Sequence, residues 1–136
     1  MTFPTKIPRM IPQTALACLL ALGITSGCAH PAQRQIEGRW LGTRVENVDD
    51  RMLAAASGWV RGTSFEFVGS RVTVAIPAEE PRTGDYEVLH ADEVDLVVAV
   101  HDENDAVYEA RFERESEHEL RWDVGDGRAV VLKREL

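Results

Sequence analysis

The chain has 136 residues, 44% of them hydrophobic and 28% charged, with 10 Gly, 6 Pro and 2 Cys. That composition suits one globular domain and excludes a disordered chain, a collagen-like repeat and a disulfide-stapled scaffold. Lys6 and Arg9 are the only charges of the first 27 residues, so 13 cations face all 23 acids in the remainder, a formal charge of −10. A surface of that sign repels phosphate backbones, which excludes nucleic acid as a partner.

The first 27 residues read as an address. Lys6 and Arg9 precede the uncharged run from Ala15 to Ile24, and small residues follow it. This is the layout of a secretory signal peptide over 1–27. The run is about half the ~20 residues that a membrane-spanning helix needs. Cys18 lies within it and is lost with the signal, leaving Cys28 as the single thiol of the mature chain. An exported protein with one Cys has no internal disulfide to make, so that residue needs another use.

Thr25-Ser26-Gly27-Cys28 resembles the lipobox of bacterial lipoproteins. The resemblance implies lipidation of Cys28, which becomes the mature N-terminus, and a partner that is the membrane itself. Each buried methylene of the acyl chains would add about 0.8 kcal/mol to the anchor. Ala29 stands where an Asp would retain such a lipoprotein at the inner membrane, so the same resemblance implies a cell-envelope location at the outer membrane, facing the periplasm. The other reading of these residues is plain cleavage after Ala29, which leaves a soluble exported protein. Residues 28–35 carry one Pro and no periodicity and read as a polar tether.

From residue 36 to 136 a period of two dominates. Ile36 to Val45 opens the series, followed by Phe65 and Phe67, by Val72, Val74 and Ile76, and by Tyr86 and Val88. Val94 to Val100, Tyr108 to Phe112, Leu120 to Val124, and Val130 with Leu132 complete eight candidate strands. Gly69-Ser70, Asp102 to Asp105 and Gly125-Asp126-Gly127 supply turns between them. The pattern predicts an antiparallel all-β domain. One segment differs. Arg51 to Ser57 is rich in helix formers, follows Asp49-Asp50 and stops at Gly58, which predicts one short helix between strands one and two. Neighbours joined by short links pair in order, and closing eight of them into an up-and-down barrel removes both sheet edges. A β-sandwich is the alternative.

Gly38-Arg39-Trp40 resembles the Gly-x-Trp signature of lipocalins and related calycins, and Arg134 stands where those families carry an Arg on the last strand. Phe65-Glu66-Phe67, Gly84-Asp85-Tyr86 and Leu132-Lys133-Arg134 are also similar, in order, to small bacterial lipocalin-like lipoproteins. The resemblance covers residues 36–136. It implies an eight-stranded lipocalin-like barrel in which Arg134 packs over Trp40 and closes one end.

Twenty inward positions follow from the alternation, and only Ala110 among them is small. An interior of eight strands is either filled by side chains or holds one small ligand. Filling is the expected outcome. The alternative is a narrow apolar pocket beside the helix, with Met52, Leu53 and Trp59 as a lid and the hydroxyls of Tyr86 and Tyr108 as its polar contacts. No Lys or Arg falls on the inward face, so a ligand buried there is uncharged or apolar at that end.

Other chemistry finds no foothold. His30 lies in the tether, His90 and His101 sit at opposite ends of one strand, and His118 is about two strand spacings from His90. No metal is expected. The acids from Asp102 to Asp105 lack the Gly and Glu positions of an EF-hand loop. No nucleophile elbow, phosphate loop or zinc-protease motif occurs, so neither enzyme activity nor a cofactor is expected. The expected function is a non-catalytic envelope module. It either carries a small apolar molecule or, with a packed barrel, recognises a basic envelope protein as periplasmic inhibitors do.

Overall fold

Short hairpins leave each strand little choice but its neighbour in sequence, and the molecule follows that rule throughout. The structure is a computed structural model describing residues 30–136. The signal segment 1–27, Cys28 and Ala29 lie outside the described residues. The strands are β1 Gly38–Glu46, β2 Ser64–Val68, β3 Arg71–Ala75 and β4 Arg82–Ala91. They continue as β5 Asp95–His101, β6 Val107–Ser116, β7 Glu119–Gly125 and β8 Arg128–Arg134. Each pairs antiparallel with the next, and β8 returns to pair with β1, so the sheet closes into an up-and-down barrel. A sandwich is excluded by that closure. The β7–β8 hairpin turns through Asp126 at φ 55° and Gly127 at φ 74°. Two successive positive φ values match the right-handed twist of the flanking strands, and Gly adopts one without steric cost.

The aromatic interior forms one cluster. Phe65 meets Phe112 and Trp122 edge-on at 5.4 and 4.9 Å between ring centroids, and Phe67 meets Tyr86 at 5.2 Å. Edge-to-face pairs of this kind add about 0.5–1.5 kcal/mol each beyond the area they bury. Three of the twenty expected inward residues do not join this core, the first being Ile76, which lies just past the end of β3 and is only partly buried. Val94 is 53% exposed because the Asp92 carboxylate accepts the N–H groups of Val94 and Asp95 and draws Val94 into the β4–β5 turn. Those backbone bonds also hold the Asp92 carboxyl below its usual range. Tyr108 is 51% exposed at the rim.

Two helices serve the two ends. The helix between β1 and β2, α2, spans Leu53–Arg61. It runs through Gly58 and is capped instead by Gly62, whose N–H donates to the Trp59 carbonyl while the Thr63 N–H donates to that of Val60. Burial of Val60 and the stacking of Trp59 on Trp122 hold the added turn in place. The other helix, α1 at Pro31–Ile36, replaces most of the expected tether. Pro31 opens it and the His30 ring Nδ1 accepts the Ala32 N–H. Ala32 and Ile36, one turn apart, are both buried against the barrel. Ile36 therefore ends a helix rather than starting β1.

On the outer wall, charges lie across from one another. The Arg121 guanidinium reaches Glu46 at 2.7 Å and Glu113 at 3.1 Å, and Arg44 reaches Glu119 at 3.3 Å. The hydrogen bond from Arg121 is the main cause holding the Glu46 carboxyl below its usual range. Arg44 and Arg121 flank Val131 in the register, and their stems leave it no exposed surface although it points away from the interior.

The close seat of α2 depends on Gly42, because a Cβ there would run into the Val60 carbonyl. Gly42→Ala is expected to lower stability by about 1–3 kcal/mol in urea unfolding; unchanged stability would show that α2 is free to lift from β1.

Candidate functional site

The two barrel ends are built differently, and that difference locates the site. At the end where β1 begins, the Trp40 indole N–H donates to the Ile36 carbonyl at 2.8 Å in a buried bond. The Arg134 guanidinium lies 4.3 Å above the Trp40 ring. It also donates to the carbonyls of Gln35 and Glu37 at the end of α1, and to that of Glu117 in the β6–β7 turn. One side chain thus joins the helix, the last strand and a turn over the indole. This end is sealed.

The opposite end, where the β3–β4 and β5–β6 loops meet, contains a cavity of about 240 Å³. Phe65, Val74, Val100, Ala110 and Trp122 form its inner wall. Gly84 contributes a place in the wall with no side chain, and it occupies an inward register position opposite Val72. Ala110 is the small inward residue beside this space, whereas a Cβ at Gly84 would run into the His101 carbonyl, so the β5 backbone already fills that place. The barrel is therefore packed over its sealed half and hollow near the mouth. Glu79, Glu80, Arg82, Asp102 and Tyr108 stand at that mouth. Asp102 is fixed there: its carboxylate accepts the N–H groups of Asn104 and Ala106 and, at 3.4 Å, the Tyr108 hydroxyl.

The expected pocket residues separate. Tyr108 lines the cavity, while Trp59 lies behind its wall, stacked on Trp122 at 6.4 Å. The lid expected of Met52 and Leu53 does not form. They are 58% and 44% exposed at the start of α2 and line no part of this cavity. Tyr86 also stands apart from it. Its side chain belongs to the packed half, 4% exposed, and its hydroxyl has no hydrogen-bond partner. Burial pushes the Tyr86 phenol up to about 12, with the Glu37 carboxylate adding to the shift. Among the described residues no group of three His, Asp or Glu side chains is placed to hold a metal ion.

The sequence reading passed over Gly84, Arg82, Glu79 and Glu80, and took Asp102 only as part of a turn. The signal for Gly84 was present, two residues before inward Tyr86 on the same strand. Carrying the alternation back two more places reaches Arg82, which pairs with Val74 on the inward register. The inward register thus does hold cations at its ends: Arg82 at the mouth, paired with Glu79 at 3.5 Å, and Arg114 and Arg134, opposite Leu120 and Trp40, at the sealed end.

Fold and site together define a closed eight-stranded antiparallel barrel, sealed at one end and carrying an apolar cavity at the other. No protein-family model, curated protein or solved structure matches this chain.

The unpartnered Tyr86 hydroxyl makes a direct test of the packed half. Leaving a buried donor unsatisfied costs about 1–3 kcal/mol, so Tyr86→Phe is expected to raise stability by about 1 kcal/mol at pH 7. The folded protein favours the protonated phenol, so the wild type gradually loses stability as pH rises from its ordinary value of 10 towards about 12. The variant is expected to lose less over that window. Urea midpoints at pH 7 and pH 11 check both expectations, and equal midpoints for the two proteins would show that the hydroxyl is solvated.

Proposed function

We propose that this protein is a lipid-anchored, lipocalin-like envelope module that carries a small apolar molecule without catalysing a reaction. The observation that carries this reading is the cavity: about 240 Å³ with Phe65, Val74, Val100, Ala110 and Trp122 as its inner wall. A dry apolar cavity of about 150 Å³ binds benzene, so this one suits a ring with a short extension rather than a long-chain lipid. The up-and-down topology, with Trp40 under Arg134 at the sealed end, supports the lipocalin-like reading.

The anchor would act at Cys28. Ala29 alone separates it from His30, a reach of at most about 7 Å, and α1 is fastened to the sealed end from Pro31 onward. An anchor at Cys28 therefore holds the sealed end against the bilayer and turns the cavity mouth away from it. The second reading, recognition of a basic envelope protein, is favoured by the formal charge of −10 over residues 28–136, where 13 cations meet 23 acids.

Native mass spectrometry of protein purified from cells is expected to show a small-molecule adduct that Ala110→Phe abolishes while circular dichroism stays unchanged. A ligand-free barrel that also binds no apolar probe would end the carrier reading in favour of protein recognition. Cys28→Ser is expected to move the protein from the membrane fraction to the soluble fraction; retention of the variant in membranes would remove the anchor.

A further inference from the structure

We propose that the open-end cavity selects molecules in which a short apolar or aromatic tail carries a protonated amine. This rests on the carrier reading and adds what the mouth selects. The apolar cavity adjoins a second space of about 520 Å³, a polar vestibule, and the two share Glu80, Arg82, Thr83, Asp102 and Tyr108. A site apolar within and polar at its entrance fits a ligand divided in the same way, with its tail inside and its head in the vestibule.

The charges there decide which head. Five carboxylates, Glu79, Glu80, Asp102, Glu103 and Glu109, border the two spaces against one lining cation, Arg82, and Glu109 is taken by Arg111 at 2.7 Å. Glu79 already occupies Arg82 at 3.5 Å. Among the described residues Glu80 and Glu103 make no ion pair. A carboxylate head would have to displace Glu79 from Arg82 and then sit beside Glu80, Asp102 and Glu103, all of its own sign, with Glu109 also on the cavity wall. A neutral head meets no repulsion and gains no charge partner. An ammonium head gains Glu80 and Glu103, and the half-exposed ring of Tyr108 offers it a π face at the boundary between the two spaces. Amine selection follows from that balance. Each contact lies near solvent, so selectivity is modest and weakens with salt.

The test uses three probes with one tail: 2-phenylethylamine, 2-phenylethanol and phenylacetate. Binding to the purified protein is read by calorimetry and by the fluorescence of Trp122. The amine is expected to bind about 3- to 10-fold more tightly than the alcohol at low salt, and the alcohol more tightly than phenylacetate. The gap is expected to narrow at 0.5 M salt and in Glu80→Gln/Glu103→Gln, and to widen in Arg82→Gln. Equal binding of all three, or tighter binding of phenylacetate, would overturn amine selection and leave the carrier reading standing. No binding by any probe, the neutral alcohol included, would overturn both.

Discussion

The rest of the structure depends on the pairing of β8 with β1. That ladder removes both sheet edges and turns eight alternating strands into a wall with one inside. Without it the inward aromatics would face water and neither end would exist as a place. Closure also creates a problem of its own, since a tube has two openings and each exposes apolar interior. The chain answers them with different devices.

At one opening the answer is a cap. Ala32 and Ile36 on α1 cover the interior, the Trp40 indole bonds to the Ile36 carbonyl, and Arg134 lies across the indole while bonding three backbone carbonyls. Removing any part exposes the others, which makes this end a cooperative seal. At the other opening α2 packs only along β1, close against Gly42, with Trp59 touching the interior through Trp122. The side of the mouth formed by the β3–β4 and β5–β6 loops stays open. Hollow space sits there beside Ala110, a small residue of the inward face, while Gly84 lets the β5 backbone approach β4 closely.

Electrostatics sorts the same residue type into different roles by position. Glu46 and Glu113 on the outer wall are bound by Arg121 and tie strands together. Asp92 and Asp102 are spent on backbone N–H groups and shape turns. Glu80 and Glu103 have no such partner among the described residues and border the vestibule. Acids recur throughout residues 37–136, but beside the cavity it is Glu80 and Glu103 that, among the described residues, are left without an ion pair and free to meet a ligand.

Much of the fold was legible because period two is a local property. Phe65 and Phe67, or Leu120 and Trp122, declare a buried face whatever their partners are, and Asp126-Gly127 declares its turn. The existence of α2 was legible too, but its end was not, since burial of Val60 outweighs the stop signal of Gly58. Helix α1 was hidden because six residues are too few to show a period, and Ala32 and Ile36 gain their partners only when the barrel closes beneath them. The sequence by itself determined the alternation, the strand order and the sign of the surface, all set by neighbouring residues. Tertiary structure alone decided which end is sealed, where the empty volume lies and which acids meet at its mouth. Those depend on how distant strands fill or fail to fill a shared interior, and no local pattern carries that sum.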